Sequence, residues 1–286
     1  MGFGNYTDKD YDEVCKFLVE LCKDRHYINW NWARFEWMIA HPETDQENLN
    51  SIGLWWDGGK VVGAAIYDMY FGEAFCGVLP KYESLYPEVL EYTYQKLSDD
   101  SGVGIAICDD NIKAIKVAQQ CGFQKATQTE NIMKFDLTKS TFSGFPEGIS
   151  VKEFDPAQNP YEFAWLIWQG FDHGQDKEQF EKEDENTPQI RKNLNKNLSL
   201  AAVNDEGDIV AYVCLWYNQS TGYAYVEPVC CIPNYRKKGI AKALLHEAFH
   251  RVKKLGAKEA IVISDMDFYK KLGFENDVHF TFYWKA

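Results

Sequence analysis

The sequence Pro233-Asn234-Tyr235-Arg236-Lys237-Lys238-Gly239-Ile240-Ala241-Lys242 joins a predicted strand to a predicted helix. The preceding run, Tyr223 to Ile232, is apolar and rich in β-branched and aromatic residues, which favours a buried strand. After Gly239, apolar residues recur at intervals of three and four until Gly256, which is typical of a helix packed on a core. They are Ala241, Leu244, Leu245, Ala248, Phe249, Val252 and Leu255. The stretch therefore predicts a strand, a glycine-containing turn and a helix over Ile240–Leu255.

This turn has the composition of an anion-binding site. A helix begins with main-chain N–H groups that have no partner inside the helix, and its dipole places partial positive charge there. One arginine and three lysines lie within residues 236–242. The spacing fits neither the GxxxxGKS/T nucleotide loop nor the GxGxxG dinucleotide turn. Two interpretations stay open, an anion site and an exposed basic turn.

Residues 236–241 and their surroundings resemble the GNAT superfamily of N-acetyltransferases. Arg236-Lys237-Lys238-Gly239-Ile240-Ala241 is similar to that family's R/Q-x-x-G-x-G/A signature. A strand that ends near a proline, here Pro233, and a long helix after the signature are also typical of the family. Tyr269 to Phe274 resembles its Tyr-x-x-x-Gly-Phe, and Glu227-Pro228-Val229 looks like the same region of tandem GNAT proteins.

The resemblance covers nearly all of residues 150–286 and departs from the family at two places. Ala241 replaces the last glycine, and residues 264–268 form a short segment without the usual asparagine. The family implies acetyl-CoA as co-substrate and no metal, with the pyrophosphate at the helix start and the pantetheine arm along the end of the strand. The implied cofactor-binding residues are Val229, Cys230, Cys231, Arg236, Lys237, Lys238, Gly239, Ile240, Ala241 and Lys242.

Two side chains are expected to carry the chemistry. An acceptor amine must be neutral to attack, so its ammonium form has to lose a proton, and the leaving thiolate gains from a proton donor. Tyr269 stands where the family usually has that donor; core packing beside Phe268 and Phe274 is the alternative. Glu227, two residues before the cofactor-facing stretch, is expected to be a base or amine anchor; a surface-facing strand carboxylate is the alternative.

Landmarks that recur at an offset of about 150 residues predict a duplicated unit. The pairs are Asp57–Tyr67 with Asp205–Val213, Leu79–Tyr82 with Ile232–Tyr235, and Cys121–Phe123 with Leu272–Phe274. Each unit is expected to begin with amphipathic helices and to continue as a mixed, mostly antiparallel sheet flanked by helices, an α/β fold. These first helices are Tyr11–Lys23, Trp30–Ala40, Pro160–Gly170 and Gln175–Glu183. Thr138–Gly148 is the expected linker, which gives domains 1–138 and 149–286.

The first unit departs from the signature at its turn. After Leu79-Pro80-Lys81-Tyr82 it has no glycine, and Glu83 and Glu88 stand where phosphates would lie. Like charges would repel a pyrophosphate there. We therefore expect a degenerate GNAT-like unit that has lost acetyl-CoA binding and serves as a scaffold or substrate wall.

Composition and charge exclude several classes of protein. The 286 residues are 45% hydrophobic, and the net charge of −13 disfavours nucleic acid or an anionic membrane as the main partner. No apolar run approaches the roughly 18 residues of a membrane helix, and the first residues do not read as a secretion signal. The eight cysteines contain no CxxC pair, which is typical of reduced thiols. The expected location is the cytoplasm.

Two further motifs have structural alternatives. His246-Glu247-Ala248-Phe249-His250 fits the HExxH zinc pattern, but the apolar stripe of the helix places both histidines on its polar side, and no third ligand follows. We interpret this match as a coincidence. Phe171-Asp172-His173-Gly174 is either a substrate-side lid with Trp216 or Tyr217, before the acidic segment Gln179–Asn186, or a helix end stopped by Gly174.

The expected function is N-acetyl transfer from acetyl-CoA to a primary amine of a small molecule, because an acidic protein suits a cationic substrate. A peptide amine and a longer acyl-CoA donor stay open. The alternative from another class is a non-catalytic acetyl-CoA sensor or scaffold. A monomer or a homodimer is expected.

Overall fold

One twelve-stranded sheet runs through the whole protein. The computed structural model describes residues 1–23, 29–41, 43–183 and 193–286. The strands are β1 (Gly2–Asn5), β2 (Gly53–Asp57), β3 (Lys60–Asp68), β4 (Tyr70–Val78), β5 (Val103–Cys108), β6 (Gln124–Asp136), β7 (Ile149–Glu153), β8 (Ser199–Asn204), β9 (Ile209–Tyr217), β10 (Tyr223–Cys231), β11 (Glu259–Ile263) and β12 (Glu275–Lys285). The helices are α1 (Tyr11–Leu21), α2 (Trp32–Ile39), α3 (Tyr86–Lys96), α4 (Ile112–Gln120), α5 (Pro160–Gly170), α6 (Lys177–Glu183), α7 (Ile240–Lys254) and α8 (Asp267–Leu272).

Read from its two edges, the sheet shows the strands of the first and second unit in equivalent order. The two units exchange their last strands, β6 and β12. The order is β1-β2-β3-β4-β5-β12-β6-β11-β10-β9-β8-β7. Only β4–β5 and β10–β11 are parallel among the neighbouring strands described. β6 of the first unit pairs with β11, whereas β12 of the second unit pairs with β5. Two α/β units with mixed, mostly antiparallel strands flanked by helices are therefore confirmed, although their strands form one sheet.

The expectation that each unit begins with helices is wrong. A short strand comes first in each, β1 before α1 and β7 before α5, and each lies at an edge of the sheet. Both strands are mostly exposed and only four or five residues long, so any apolar alternation is too short to identify them. By contrast, α5 has the predicted bounds, because it has a long apolar pattern with clear ends.

The exchanged strands join the cores of the two units. Phe135, on β6, stacks on Phe249 of α7 at a ring distance of 5.0 Å and also contacts Phe274. In the other direction, Phe280 and Tyr283 of β12 belong to the core built around α1, α2 and β3. Each unit therefore lacks part of its own core without the other. No helix among the described residues is both long and apolar enough to span a membrane.

Candidate functional site

Strands β10 and β11 separate in the middle of the second unit. They pair over Tyr223–Tyr225 and Glu259–Ile261, after which β10 continues along β9 alone. A bulge between Val226 and Val229 breaks the register with β9 at this point. β4 and β5 separate in the same way in the first unit, but β4 runs against β3 from Ala74 to Val78 without a break. The bulge therefore distinguishes the second unit and places Glu227 where the strands diverge.

The turn before α7 exposes main-chain donors. Gly239 caps the helix with a left-handed φ of 83° and has no side chain to satisfy the first N–H groups, while Lys237 also has a positive φ of 60°. A Cβ added to Gly239 would meet no atom within 4 Å, so space is open beside the cap. Lys237, Lys238 and Lys242 are exposed around it. This donor set fits a diphosphate.

Arg236 has a different environment from the lysines. Its Nε donates to the carbonyl of Cys231 at 2.8 Å, Nη2 to the carbonyl of Gly170 at 2.8 Å and Nη1 to Asp172 at 3.0 Å. Three nitrogens of its guanidinium group thus donate hydrogen bonds that hold the turn against β10 and the end of α5. The structure places Arg236 beside the predicted phosphate turn as a structural clamp, and phosphate binding by it remains a prediction.

The end of β10 presents its side chains to two different cores. Cys230 is buried against α5, where a Cβ on Gly170 would lie 2.7 Å from the Cys230 Cβ. Val229 and Cys231 are partly buried and pack on the core around α7. Burial raises the pKa of the Cys230 thiol to about 12 and that of Cys231 to about 11. Both stay protonated at neutral pH, so neither is suited to act as a nucleophile.

Glu227 is partly exposed at the bulge and has an unusual acidity. Burial raises its pKa to about 7, while the charge of Arg34 and the Tyr225 hydroxyl oppose a larger rise. Tyr225 donates to Glu227 Oε2 at 3.4 Å, and Trp216 Nε1 donates to the Glu227 carbonyl at 2.7 Å. A carboxyl group with this pKa exchanges protons readily at neutral pH.

Tyr269 is buried on α8, and its surroundings bear on both of the roles expected for it. Its ring contacts Phe268 at 5.1 Å and Phe274 at 5.3 Å, so it packs in the core. Burial, followed by the charge of Glu227, raises the pKa of its phenol well above the usual range. The phenol is therefore protonated at neutral pH and close enough to Glu227 to sense its charge.

The sequence did not identify which residues of the first unit lie near Glu227. Arg34, on α2, donates to Asp68 at 2.9 Å and to Glu130 at 3.1 Å. α2 lies next to β9, because Trp32 contacts the ring of Trp216 at 5.8 Å. Tyr225 could have been found, because it lies two residues before Glu227 on a strand and shares its face. No local pattern brings Arg34 near β10.

The HExxH helix differs from the expectation. His246 is only 6% exposed and its Nδ1 hydrogen-bonds to Ser140 Oγ at 2.8 Å, whereas His250 is exposed. The prediction that His246 lies on the polar side of the helix is wrong, because Phe135 of β6 and the linker cover that face. Burial, with a smaller effect of Lys242, lowers its pKa. No His, Cys, Asp or Glu cluster in the described ranges could hold a metal ion.

The segment after α5 lies beside the turn. The helix ends at Gly170, before Gly174, and Asp172 has a φ of 66° and accepts from Arg236. Trp216 faces Glu227 and α2. The lid remains a prediction, and residues 184–186 of the acidic segment Gln179–Asn186 lie outside the described residues.

Comparisons with known proteins agree with this geometry. Residues 160–274 match the model of the acetyltransferase (GNAT) family. No curated protein is significantly similar in sequence. Among solved structures, a tandem GNAT protein from the clavulanic acid biosynthesis pathway is 13% identical, with a TM-score of 0.62, over 99% of this chain and 97% of that one.

Two further solved structures are also similar over nearly the full length of both chains. A GNAT-family acetyltransferase from Colwellia psychrerythraea is 14% identical with a TM-score of 0.57, and all of both chains is covered. A GCN5-related N-acetyltransferase from Sphaerobacter thermophilus is 16% identical with a TM-score of 0.55, over 99% of this chain and 95% of that one. At these identities the structures establish the fold. Residues 160–274 therefore match the GNAT acetyltransferase family, and the whole chain has the fold of tandem GNAT proteins.

Proposed function

We propose that the protein is an N-acetyltransferase that moves the acetyl group of acetyl-CoA to a primary amine of a small molecule, with the second unit as the catalytic one. The observation that carries this proposal is Glu227, whose pKa of about 7 suits a general base at neutral pH. It lies where β10 leaves β11, and the buried phenol of Tyr269 senses its charge. A protein that only sensed acetyl-CoA would not need this pair, so the enzyme is favoured over the non-catalytic alternative.

The residues of the second unit divide the steps of transfer among them. Bound acetyl-CoA would supply an acetyl thioester beside the free edge of β10. The N–H groups at the start of α7, with Lys237 and Lys238, would hold its diphosphate. Ionised Glu227 would accept the proton of the acceptor ammonium, and the nitrogen would then form its bond to the acetyl carbon. The Tyr269 hydroxyl would donate a proton to the sulfur as the carbon–sulfur bond breaks, and the second proton that the nitrogen loses in forming the amide would restore this hydroxyl.

The charges near Glu227 suggest the class of acceptor. Asp68 and Glu130 contribute two carboxylates against the single guanidinium of Arg34, and all three side chains are only 19–26% exposed. Ionised Glu227 adds a third negative charge. This surplus favours an acceptor that arrives as a cation, as primary amines do at neutral pH. The first unit would thus form one wall of the acceptor site.

The same proposal covers the organisation of the chain. Residues 1–138 would be the degenerate GNAT-like domain and residues 149–286 the domain that binds acetyl-CoA. The eight free cysteines favour the reducing cytoplasm as its location. We propose a monomer or homodimer with no nucleic-acid or membrane partner.

A panel of amines with acetyl-CoA would test the function directly. Free thiol release is measured with diamines, amino sugars, amino acids and short peptides, each against a reaction without amine. We expect release to depend on the identity of the amine. Tight binding of acetyl-CoA without amine-dependent release from any member would favour the sensor and contradict the enzyme.

Replacement of Tyr269 by phenylalanine separates its chemical role from its packing. The ring contacts with Phe268 and Phe274 remain, but the proton donor is lost. We expect turnover to fall about tenfold or more while the Kd for acetyl-CoA stays unchanged. Turnover is measured by thiol release and Kd by calorimetry. Unchanged turnover would remove Tyr269 from the mechanism and leave it a core residue.

The first unit is expected not to bind acetyl-CoA. Its turn, residues Pro80–Leu85, contains no positive φ, and the helix that follows carries Glu88 in its first turn. Glu83 pairs with Lys113 at 3.5 Å. Titration calorimetry should therefore give one acetyl-CoA per chain. A stoichiometry of two would show that the first unit has kept its site.

A further inference from the structure

The first unit contains a cavity of about 750 Å³ that the proposed transfer reaction does not use. It opens between β4 and β5, beside α4, and none of the residues named for the second-unit site lines it. The volume is within the range of pockets that hold small organic ligands, roughly 300–1,000 Å³. A unit kept only as scaffold would be expected to fill such a space with side chains, because interiors are closely packed.

Two strand edges face this cavity without a partner. β4 and β5 pair only at Glu73–Ala74 with Gly104–Ile105, although both strands continue beyond this point. Main-chain groups of alternate residues beyond Ala74 and Ile105 are therefore free to bond a ligand that contains an amide. The side chains around these edges are apolar. They include Phe75, Val78, Leu79, Ile107, Ala114 and Val117.

Four lysines and two glutamates, Glu20 and Glu83, line the cavity, and Glu20 pairs with Lys23. Lys81 and Lys116 are exposed at its lining and form no ion pair within the described part of the chain, whereas Lys113 is paired with Glu83. Burial raises the pKa of the Tyr86 phenol well above its usual value, so it remains a donor. Its hydroxyl has no hydrogen-bond partner among residues 1–23, 29–41, 43–183 and 193–286. Two unmatched cations and an inner donor favour a ligand with one anionic end and an acceptor in its body.

The turn at this cavity lacks the features that hold a diphosphate. Residues Pro80–Leu85 have no glycine and no left-handed residue, and Glu83 adds a negative charge. A single carboxylate does not need a glycine-containing turn, because two lysines alone can bind it.

We propose that the cavity between β4 and β5 is a second ligand site for an elongated monocarboxylate with an apolar body and an internal amide, the chemistry of an N-acylated amino acid. The apolar chain lies against Phe75 and Val117, and the amide bonds to the free strand edges and to Tyr86. The carboxylate lies between Lys81 and Lys116. The site is independent of acetyl transfer in the second unit.

Calorimetry with N-octanoylglycine and its methyl ester tests the site. We expect the acid to bind once per chain with a Kd of about 10–100 μM, which is ordinary for a ligand of this size, and the ester to bind about tenfold more weakly. The double variant Lys81→Gln/Lys116→Gln should weaken the acid about tenfold and leave the ester unchanged. Lys60→Gln/Lys96→Gln, at exposed lysines outside the cavity, is the matched control.

A space-filling variant gives a second, independent readout. Ala114→Trp should abolish binding of both compounds, whereas Gln119→Trp, on the outer side of the same helix, should not. No binding of the acid to the unaltered protein, or equal binding to Ala114→Trp, would overturn the proposal. The variant Gly239→Asp should bind the acid normally, so a failure of acetyl-CoA binding and a failure of this site are distinguishable.

Discussion

Replacing Glu227 by glutamine is expected to lower turnover about 100-fold or more at pH 8, because a general base contributes roughly that factor. In the unaltered enzyme, kcat/KM should rise with pH through about 7, where Glu227 becomes ionised. In Glu227→Gln this ascending limb should disappear, while the Kd for acetyl-CoA stays within a factor of about two. The measurement is a pH profile of amine-dependent thiol release from pH 5.5 to 9.

The same substitution changes stability in a direction that the pKa defines. The folded state raises the pKa of Glu227 from 4.5 to about 7, so the protonated form is favoured by folding. The unfolding free energy therefore falls as pH rises from about 4.5 to 7 and is flat above that for this group. Glu227→Gln removes this decline, and its thermal midpoint relative to the unaltered protein should be higher at pH 8 than at pH 5.

A matched variant separates the role of Glu227 from a general effect of charge. Glu73→Gln lies on β4, at the corresponding divergence of strands in the first unit, where Glu73 accepts from Gln128 at 2.9 Å. It should leave turnover and its pH profile unchanged. If Glu227→Gln kept both the activity and the ascending limb, Glu227 would be only a strand carboxylate.

The turn and helix could be predicted because everything that defines them lies within about twenty residues. Gly239, the lysines and the apolar face of α7 are local features, and they specify a helix start with free donors whatever the rest of the chain does. Glu227 was found for a similar reason, because its distance from the end of a predicted strand places it near the cleft. Its pKa could not be predicted, since this depends on burial and on Arg34, far away in the sequence.

The strand exchange could not be predicted, and other errors follow from it. β6 and β12 each follow a short helix and a Gly-Phe, so the sequence assigns each to its own unit. In the structure, β6 crosses to the second unit and covers α7 with Phe135. This is why His246, polar and opposite the apolar stripe, is buried. A helix period identifies one buried face, but it cannot show that a distant segment covers a second one.

Substitution of Gly239 tests the diphosphate site with a pair of variants that have the same shape. Asparagine and aspartate both tolerate a positive φ, and a Cβ at this position meets no atom within 4 Å, so both proteins should fold. Gly239→Asp places a carboxylate in front of the free N–H groups of α7. At an effective dielectric constant of about 20, two unit charges 4 Å apart repel by about 4 kcal/mol, and exposure reduces this value.

We therefore expect Gly239→Asp to raise the Kd for coenzyme A about 100-fold and Gly239→Asn to raise it tenfold or less, about 1.4 kcal/mol. Calorimetry with coenzyme A at low and high salt measures both, and the gap between the two variants should narrow as salt screens the repulsion. Pantetheine, which has no phosphate group, should bind both variants with the same affinity. Equal losses in the two variants would mean that shape, and not anion recognition by the start of α7, determines binding at this turn.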